Sequence, residues 1–306
     1  MSLINDRKKQ LINKISFGVT PAMATPLTDD VRQINLPAVD RLVDFLIGAG
    51  VKGLFVGGTT GEGILLSVEQ RRSLHERAMK AIAGRVPALI HVGSNTTAES
   101  VELTQHAASI RADAVVAVTP TFYPMPDEAL AGYFAAVSEA APDIPLLAYD
   151  IPHMAVNGIS PGLLASMAQD IPAFAGVKSS NQDAQAIRRL IDVSPVNSIV
   201  LAGNERIALG SLSMGAAGLI SGLATAVPGP FVNLTEAFFA WDIARAQVEQ
   251  RRINALLDLI PAGTRIGALK SLLVQRGIEV GPPVPPRPAL AADAWPGWSE
   301  FARLLD

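Results

Sequence analysis

The feature that most constrains this chain is an alternation: eight short, almost uniformly apolar runs separated by longer stretches of helical periodicity. The runs are Gly18–Met23, Val51–Val56, Pro87–Val92, Ala114–Val118, Ile144–Tyr149, Phe174–Lys178, Ser198–Ala202 and Ala217–Ser221. A strand covered on one face alternates apolar with polar residues, whereas a parallel strand covered on both faces does not. Eight such strands with helices between them predict a closed (β/α)8 barrel of the TIM type, an α/β fold, with an open doubly wound sheet as the alternative. No G-x-G-x-x-G follows the first run, which favours the barrel. Several helix starts are legible. Ser67-Val68-Glu69-Gln70 and Thr96-Thr97-Ala98-Glu99 predict capping boxes, and Ser160-Pro161 predicts an N-cap followed by proline in the first turn.

Beyond Ser221 the pattern is helical only, over Pro228–Gln250, Arg252–Leu259 and Thr264–Gln275, and then proline-rich from Gly281 to Pro288 before a Trp-containing tail. This predicts a barrel over residues 1–224, with a short N-terminal segment, and a helical extension over residues 225–306 packed on it. No function is assigned to Met1-Ser2-Leu3. Composition removes whole classes of activity. A net charge of −3 gives no basic footprint for nucleic acid. The absence of cysteine excludes disulfides and thiolate-held zinc or iron–sulfur centres. The N-terminus is too polar for a signal peptide and no uncharged apolar run nears the ~20 residues of a membrane span, so a cytoplasmic protein is expected.

The chemistry is concentrated at one residue. The chain has seven lysines against eighteen arginines, and Lys178 alone closes an apolar strand. Partial desolvation there disfavours the ammonium form and leaves more free amine to attack a carbonyl, although a strand-end lysine can also simply snorkel to solvent. In a barrel the site is built from loops at the C-terminal strand ends. The loop after the second strand, Gly57-Gly58-Thr59-Thr60-Gly61-Glu62-Gly63, can bring N–H and O–H donors to a carboxylate or phosphate, or can be a tight turn with capping threonines. Glu62 is expected to fix this loop by accepting backbone N–H bonds. Tyr123 lies in the loop after strand four and Tyr149 at the end of strand five, where a phenol could face the lysine or serve as a core or interface aromatic. His75, His91 and His106 read as structural, and His153 as a substrate contact. With no acidic cluster for magnesium, neither metal nor organic cofactor is expected.

Six motifs in order give the chain a specific resemblance to the dihydrodipicolinate synthase / N-acetylneuraminate lyase family of class I aldolases. They are Thr25-Pro26-Leu27, Gly58-Thr59-Thr60-Gly61-Glu62, Tyr149-Asp150-Ile151-Pro152, Gly176-Val177-Lys178, Ala202-Gly203-Asn204 and Gly218-Leu219-Ile220-Ser221. The resemblance implies that Lys178 forms a Schiff base with a pyruvate-like 2-keto acid and that Tyr149, with Thr59, moves the proton. It implies that Gly58, Thr59 and Thr60 hold the substrate carboxylate, that Gly203 and Ile220 line the pocket, and that the chain assembles as a homotetramer or homodimer.

Three departures bear on the substrate. Where the synthases carry an arginine for a distal carboxylate this chain has Met154. Their interface tyrosine falls on Phe122, beside Tyr123, and the asparagine after the catalytic tyrosine is Asp150. These point to a Schiff-base lyase acting on a 2-keto-3-deoxy or other 4-hydroxy-2-keto acid. The alternatives are a dihydrodipicolinate synthase with an altered second-substrate site and a 2-keto acid binding protein without turnover.

Overall fold

The computed structural model describes residues 3–304; Met1 and Ser2 lie outside the described residues. All eight expected strands form: β1 (Val19–Pro21), β2 (Leu54–Val56), β3 (Ala88–His91), β4 (Ala114–Val118), β5 (Leu146–Asp150), β6 (Phe174–Ser179), β7 (Ile199–Ala202) and β8 (Gly218–Ser221). Neighbours pair in parallel around the sheet, and a bridge between Ala22 and Phe55 joins its first and second strands into a closed barrel. Most strands start later than the apolar runs do, because Gly18, Gly53 and Pro87 occupy the approaches.

Each strand feeds two buried layers, which is why the runs do not alternate. Phe55, Leu89, Val116, Leu147, Leu201 and Ile220 fill the barrel interior. Their neighbours Val56, Ile90, Val115 and Val177 face outward onto the ring of helices. That ring comprises α2 (Leu36–Gly48), α3 (Val68–Ile82), α4 (Thr97–Ser109), α5 (Asp127–Glu139), α6 (Pro152–Ala155) with α7 (Pro161–Asp170), α8 (Ala184–Val193), α9 (Ala208–Ser213) and α10 (Gly229–Phe239). The capping box of α3 is complete, and Ser160 caps α7 ahead of Pro161. In α4 only half of the expected box forms: Thr96 accepts from the Glu99 N–H, while the Glu99 carboxylate turns to Arg71 at 3.8 Å.

Two segments differ from the sequence-based expectation. The N-terminal segment is a helix, α1 (Leu3–Ile15), whose buried Leu11 and Ile15 join the barrel-interior cluster and floor its N-terminal end. The expected single helix Pro228–Gln250 is two, α10 and α11 (Ile243–Asp258). Trp241 takes a left-handed φ of 63°, and Asp242 then starts the new helix by accepting from the Arg245 N–H. α10 packs on β1 and α9 as the eighth member of the ring. Beyond it α11, α12 (Arg265–Gln275) and α13 (Trp298–Arg303) extend the same core through Leu256, Leu269 and Phe301.

Candidate active site

The position of Lys178 is set by a glycine two residues before it. Gly176 has φ 144°, and a Cβ there would come within 2.0 Å of the Ile199 carbonyl oxygen, so β7 can approach only a glycine. The β5–β6 register shifts at this point, with Leu146 opposite Phe174 but Leu147 opposite Gly176. The bulge re-aims the strand end and brings Tyr149 alongside Lys178. Asp150 then holds the two strand ends together: its carboxylate accepts from Ser179 Oγ at 2.7 Å and from the Ile159 N–H at 3.0 Å. Burial pushes the Asp150 carboxyl up, against the opposing Ser179 and Ile159 bonds.

Lys178 is 3% exposed, and its Nζ lies 3.8 Å from the Tyr149 ring centroid and 4.6 Å from that of Phe55. Burial lowers its pKa from the ordinary 10.5, opposed by Tyr149 and by Glu205. Among the described residues the amine forms no ion pair with a carboxylate, and Glu205 acts on it only from beyond ion-pair distance. Across the barrel, Thr59 Oγ1 and Tyr149 Oη are 3.2 Å apart, a hydroxyl pair able to pass a proton in either direction. Gly203 keeps the lysine's flank open, since a Cβ there would lie 2.1 Å from Ser180 Oγ and 3.3 Å from Lys178 Cε.

These groups face a cavity of about 760 Å³ at the C-terminal mouth of the barrel, lined by Lys178, Tyr149, Thr59, Thr60, Gly203, Ile220, His153 and Met154 among the residues predicted. Two predicted residues do not line it. Gly58 is turned toward the ring of Phe55, 2.3 Å from where its Cβ would be, so a side chain here would strike that ring. Tyr123 is 66% exposed and packs edge-on against Phe122, itself 74% exposed, on a loop that projects from the mouth. Asn157 braces that loop, donating to the Pro120 and Tyr123 carbonyls and accepting from the Met125 N–H.

Glu62 is a structural group, as expected, but its partners come from the C-terminal extension. Its carboxylate meets Lys270 Nζ at 2.9 Å and accepts from the Val284 N–H at 2.8 Å, pinning the glycine loop to the far end of the chain. Sequence reasoning missed Glu205 and Arg265. Glu205 follows Asn204 at the end of β7, where its place at a barrel mouth was a usable signal. Arg265 opens α12, with no local signal connecting it to the site. Their side chains form an ion pair on the cavity wall, and Glu205 Oε1 also accepts from Ser221 Oγ and from the Leu223 N–H, each at 2.8 Å. Burial raises the Glu205 carboxyl, but Arg265 and these donors outweigh it and leave the group below its ordinary value. His75 and His91 are buried, and burial with the nearby Arg71 cation holds both well below the ordinary imidazole range, so they are neutral packing groups. No group of three or more metal-binding side chains occurs among the described residues.

A second cavity of about 680 Å³ lies at the opposite end of the barrel, between Arg7, Lys14, Arg111 and Asp143. It contains no buried nucleophile.

Comparison with known proteins agrees with this geometry. The dihydrodipicolinate synthetase family matches residues 16–297. A 4-hydroxy-tetrahydrodipicolinate synthase of Methanopyrus kandleri is 32% identical over 88% of this chain and 89% of its own length. An N-acetylneuraminate lyase of Mediterraneibacter gnavus is 29% identical over 100% of this chain and 98% of its own. Among solved structures, the wild-type sialic acid aldolase of Ruminococcus gnavus superposes with a TM-score of 0.90 at 29% identity, over 95% of this chain and 97% of that one. A prophage protein of the dihydrodipicolinic acid synthase family from E. coli K12, in complex with pyruvate, gives 0.88 at 27% identity, over 94% and 98%. With a family match across nearly its whole length, a closed eight-stranded barrel and a buried lysine beside a tyrosine–threonine pair, the chain belongs to the dihydrodipicolinate synthetase family.

Proposed function

We propose that the protein is a lyase that cleaves a hydroxylated 2-keto acid through a Schiff base on Lys178, releasing pyruvate and an aldehyde. The observation that carries this is the buried Lys178 amine on the cavity wall, in no ion pair among the described residues and with the Tyr149 phenol next to it. The free amine attacks the keto carbon, and loss of water leaves a protonated imine. Tyr149, hydrogen-bonded to Thr59, gives its phenol proton to the hydroxide that leaves as water, and its phenolate then takes the proton of the C4 hydroxyl and later returns it to C3. The C3–C4 electron pair flows toward the imine nitrogen, the aldehyde departs, and a neutral enamine is left. Protonation at C3 and hydrolysis return pyruvate and the amine. Thr60 is assigned to the substrate carboxylate, His153 and Met154 to its far side.

Met154 decides between this reading and a synthase. It occupies the mouth where a distal carboxylate would need a cation, and an unpaired charge in a partly desolvated site costs several kcal/mol. The test is kcat/KM for cleavage of 2-keto-3-deoxy acids against condensation of pyruvate with aspartate semialdehyde. The parent chain is expected to favour cleavage, and Met154→Arg to move preference toward the semialdehyde by roughly 30-fold or more. Efficient condensation by the parent chain would assign it to the synthases.

Assembly into tetramers and a cytoplasmic location belong to the same proposal. Assembly is supported by the Phe122–Tyr123 pair, two exposed rings on a loop already braced by Asn157, which loses little freedom on docking against a second copy. A cytoplasmic location is what a lyase that releases pyruvate calls for.

A further inference from the structure

The cavity is far larger than a three-carbon keto acid needs, and one wall of it comes from the C-terminal extension: Leu257, Ile260, Gly263, Arg265, Ile266 and Arg287. Only the two arginines on that wall can bond to a polar substrate. Arg287 is turned toward Glu62, with Nε 3.9 Å from its carboxylate. Arg265 is different. One of its nitrogens, Nη2, is bound to Glu205 Oε2, and no other hydrogen bond of this guanidinium is formed among the described residues. Its remaining N–H groups are half-exposed at the cavity.

Glu205 itself is a poor reader of substrate hydroxyls. Its Oε1 already accepts two hydrogen bonds and its Oε2 takes Arg265, so it has little capacity left. What it does is hold the guanidinium. Gly222 shows where Arg265 sits relative to the reacting end, because a Cβ there would lie 2.6 Å from Thr60 Oγ1, 3.4 Å from Arg265 Nη2 and 3.7 Å from Glu205 Oε1. The missing side chain leaves open the short gap between the threonine assigned to the substrate carboxylate and the arginine.

We propose that Arg265, held by Glu205, donates hydrogen bonds to the hydroxyl oxygens at the far end of a 2-keto-3-deoxy sugar acid and so sets substrate length and polarity. This rests on the lyase reading given above. A distal hydroxyl fits better than a distal carboxylate, because the guanidinium is already neutralised by Glu205 and a second anion would lie beside that carboxylate with its charge uncompensated. A hydroxyl requires only the free donors.

The test is equilibrium binding, measured by titration calorimetry in a Lys178→Ala background so that no turnover intervenes. Three probes differ only at the far end: 2-keto-3-deoxygluconate with hydroxyls, 4-hydroxy-2-ketovalerate with a methyl group, and 4-hydroxy-2-ketoglutarate with a carboxylate. The sugar acid is expected to bind roughly 10- to 100-fold more tightly than the ketovalerate, the range for hydrogen bonds to a charged group. Adding Arg265→Ala should collapse that ratio to within about threefold. Arg265→Lys should restore part of it and Glu205→Gln should lose part of it, so the test survives if the alanine variant does not fold. A ratio unchanged by all three substitutions, or a larger loss for the ketoglutarate than for the sugar acid, overturns the proposal. Failure of the lyase reading would be seen elsewhere, as absence of a pyruvate adduct on Lys178.

Discussion

Of the buried lysines in this molecule Lys178 and Lys270 lie deepest, and only one of the two faces the cavity. At the seam between the glycine loop and α12, Lys270 is 2% exposed; at the mouth of β6, Lys178 is 3% exposed. Burial lowers the pKa of both. The difference lies in what surrounds the amine. Lys270 meets the Glu62 carboxylate at 2.9 Å and donates to the Pro282 carbonyl at 2.8 Å, so its charge is matched and its protons are committed. Lys178 has aromatic faces, a phenol and open cavity. Depth alone thus does not separate the two; what separates them is a matched anion beside Lys270 and an open cavity beside Lys178.

The comparison is broken most severely by exchanging which lysine is removed. Lys178→Ala should reduce turnover to background while leaving the fold intact. Lys270→Ala leaves Glu62 buried with only the more distant Arg287 to match its charge, so unfolding titrations should show a loss of about 3 kcal/mol while the folded fraction still forms an adduct with pyruvate. Equal loss of adduct in both variants would show that the two sites are not separable in this way.

A smaller effect comes from the phenol. Tyr149→Phe keeps the ring over Lys178 and removes the proton carrier, so cleavage measured by pyruvate release should slow by roughly 10²-fold while trapping of pyruvate persists. Cleavage at the parent rate would make Tyr149 structural.

The smallest effect is on pH dependence. Trapping needs the free amine, so its rate falls as pH drops through the Lys178 pKa, and this limb should lie below the ordinary 10.5. Tyr149 is the first of the groups that oppose the burial effect. Removing its hydroxyl should therefore move the limb further toward acid. A limb at or above 10.5 in the parent would mean that Lys178 is not desolvated in solution.

The strands and Lys178 were legible in the sequence because they depend on local pattern: a strand with two buried faces has a continuous apolar run, and a lysine ending one is conspicuous. The helix of α1 was missed because its buried stripe, Ile4, Leu11 and Ile15, is thin and interrupted by charges, of which Lys8 is itself buried against the Pro172 carbonyl. The break at Trp241 left no proline or glycine to mark it. Among site residues, those on strand ends followed from the barrel rule. Arg265 did not, because its contact with Glu205 spans sixty positions of sequence and is created only by the packing of α12 over the mouth. The register of the interface tyrosine falls on Phe122, which has a left-handed φ of 80°, and the rings of Phe122 and Tyr123 are both exposed.

The most direct test is borohydride reduction of the protein in the presence of pyruvate, read by intact mass and peptide mapping. One reduced pyruvyl group per chain, located on Lys178 and absent from Lys178→Ala, is the predicted result. A group mapped to Lys270 or Lys52, or none at all in the parent protein, would contradict the assignment of Lys178 as the nucleophile.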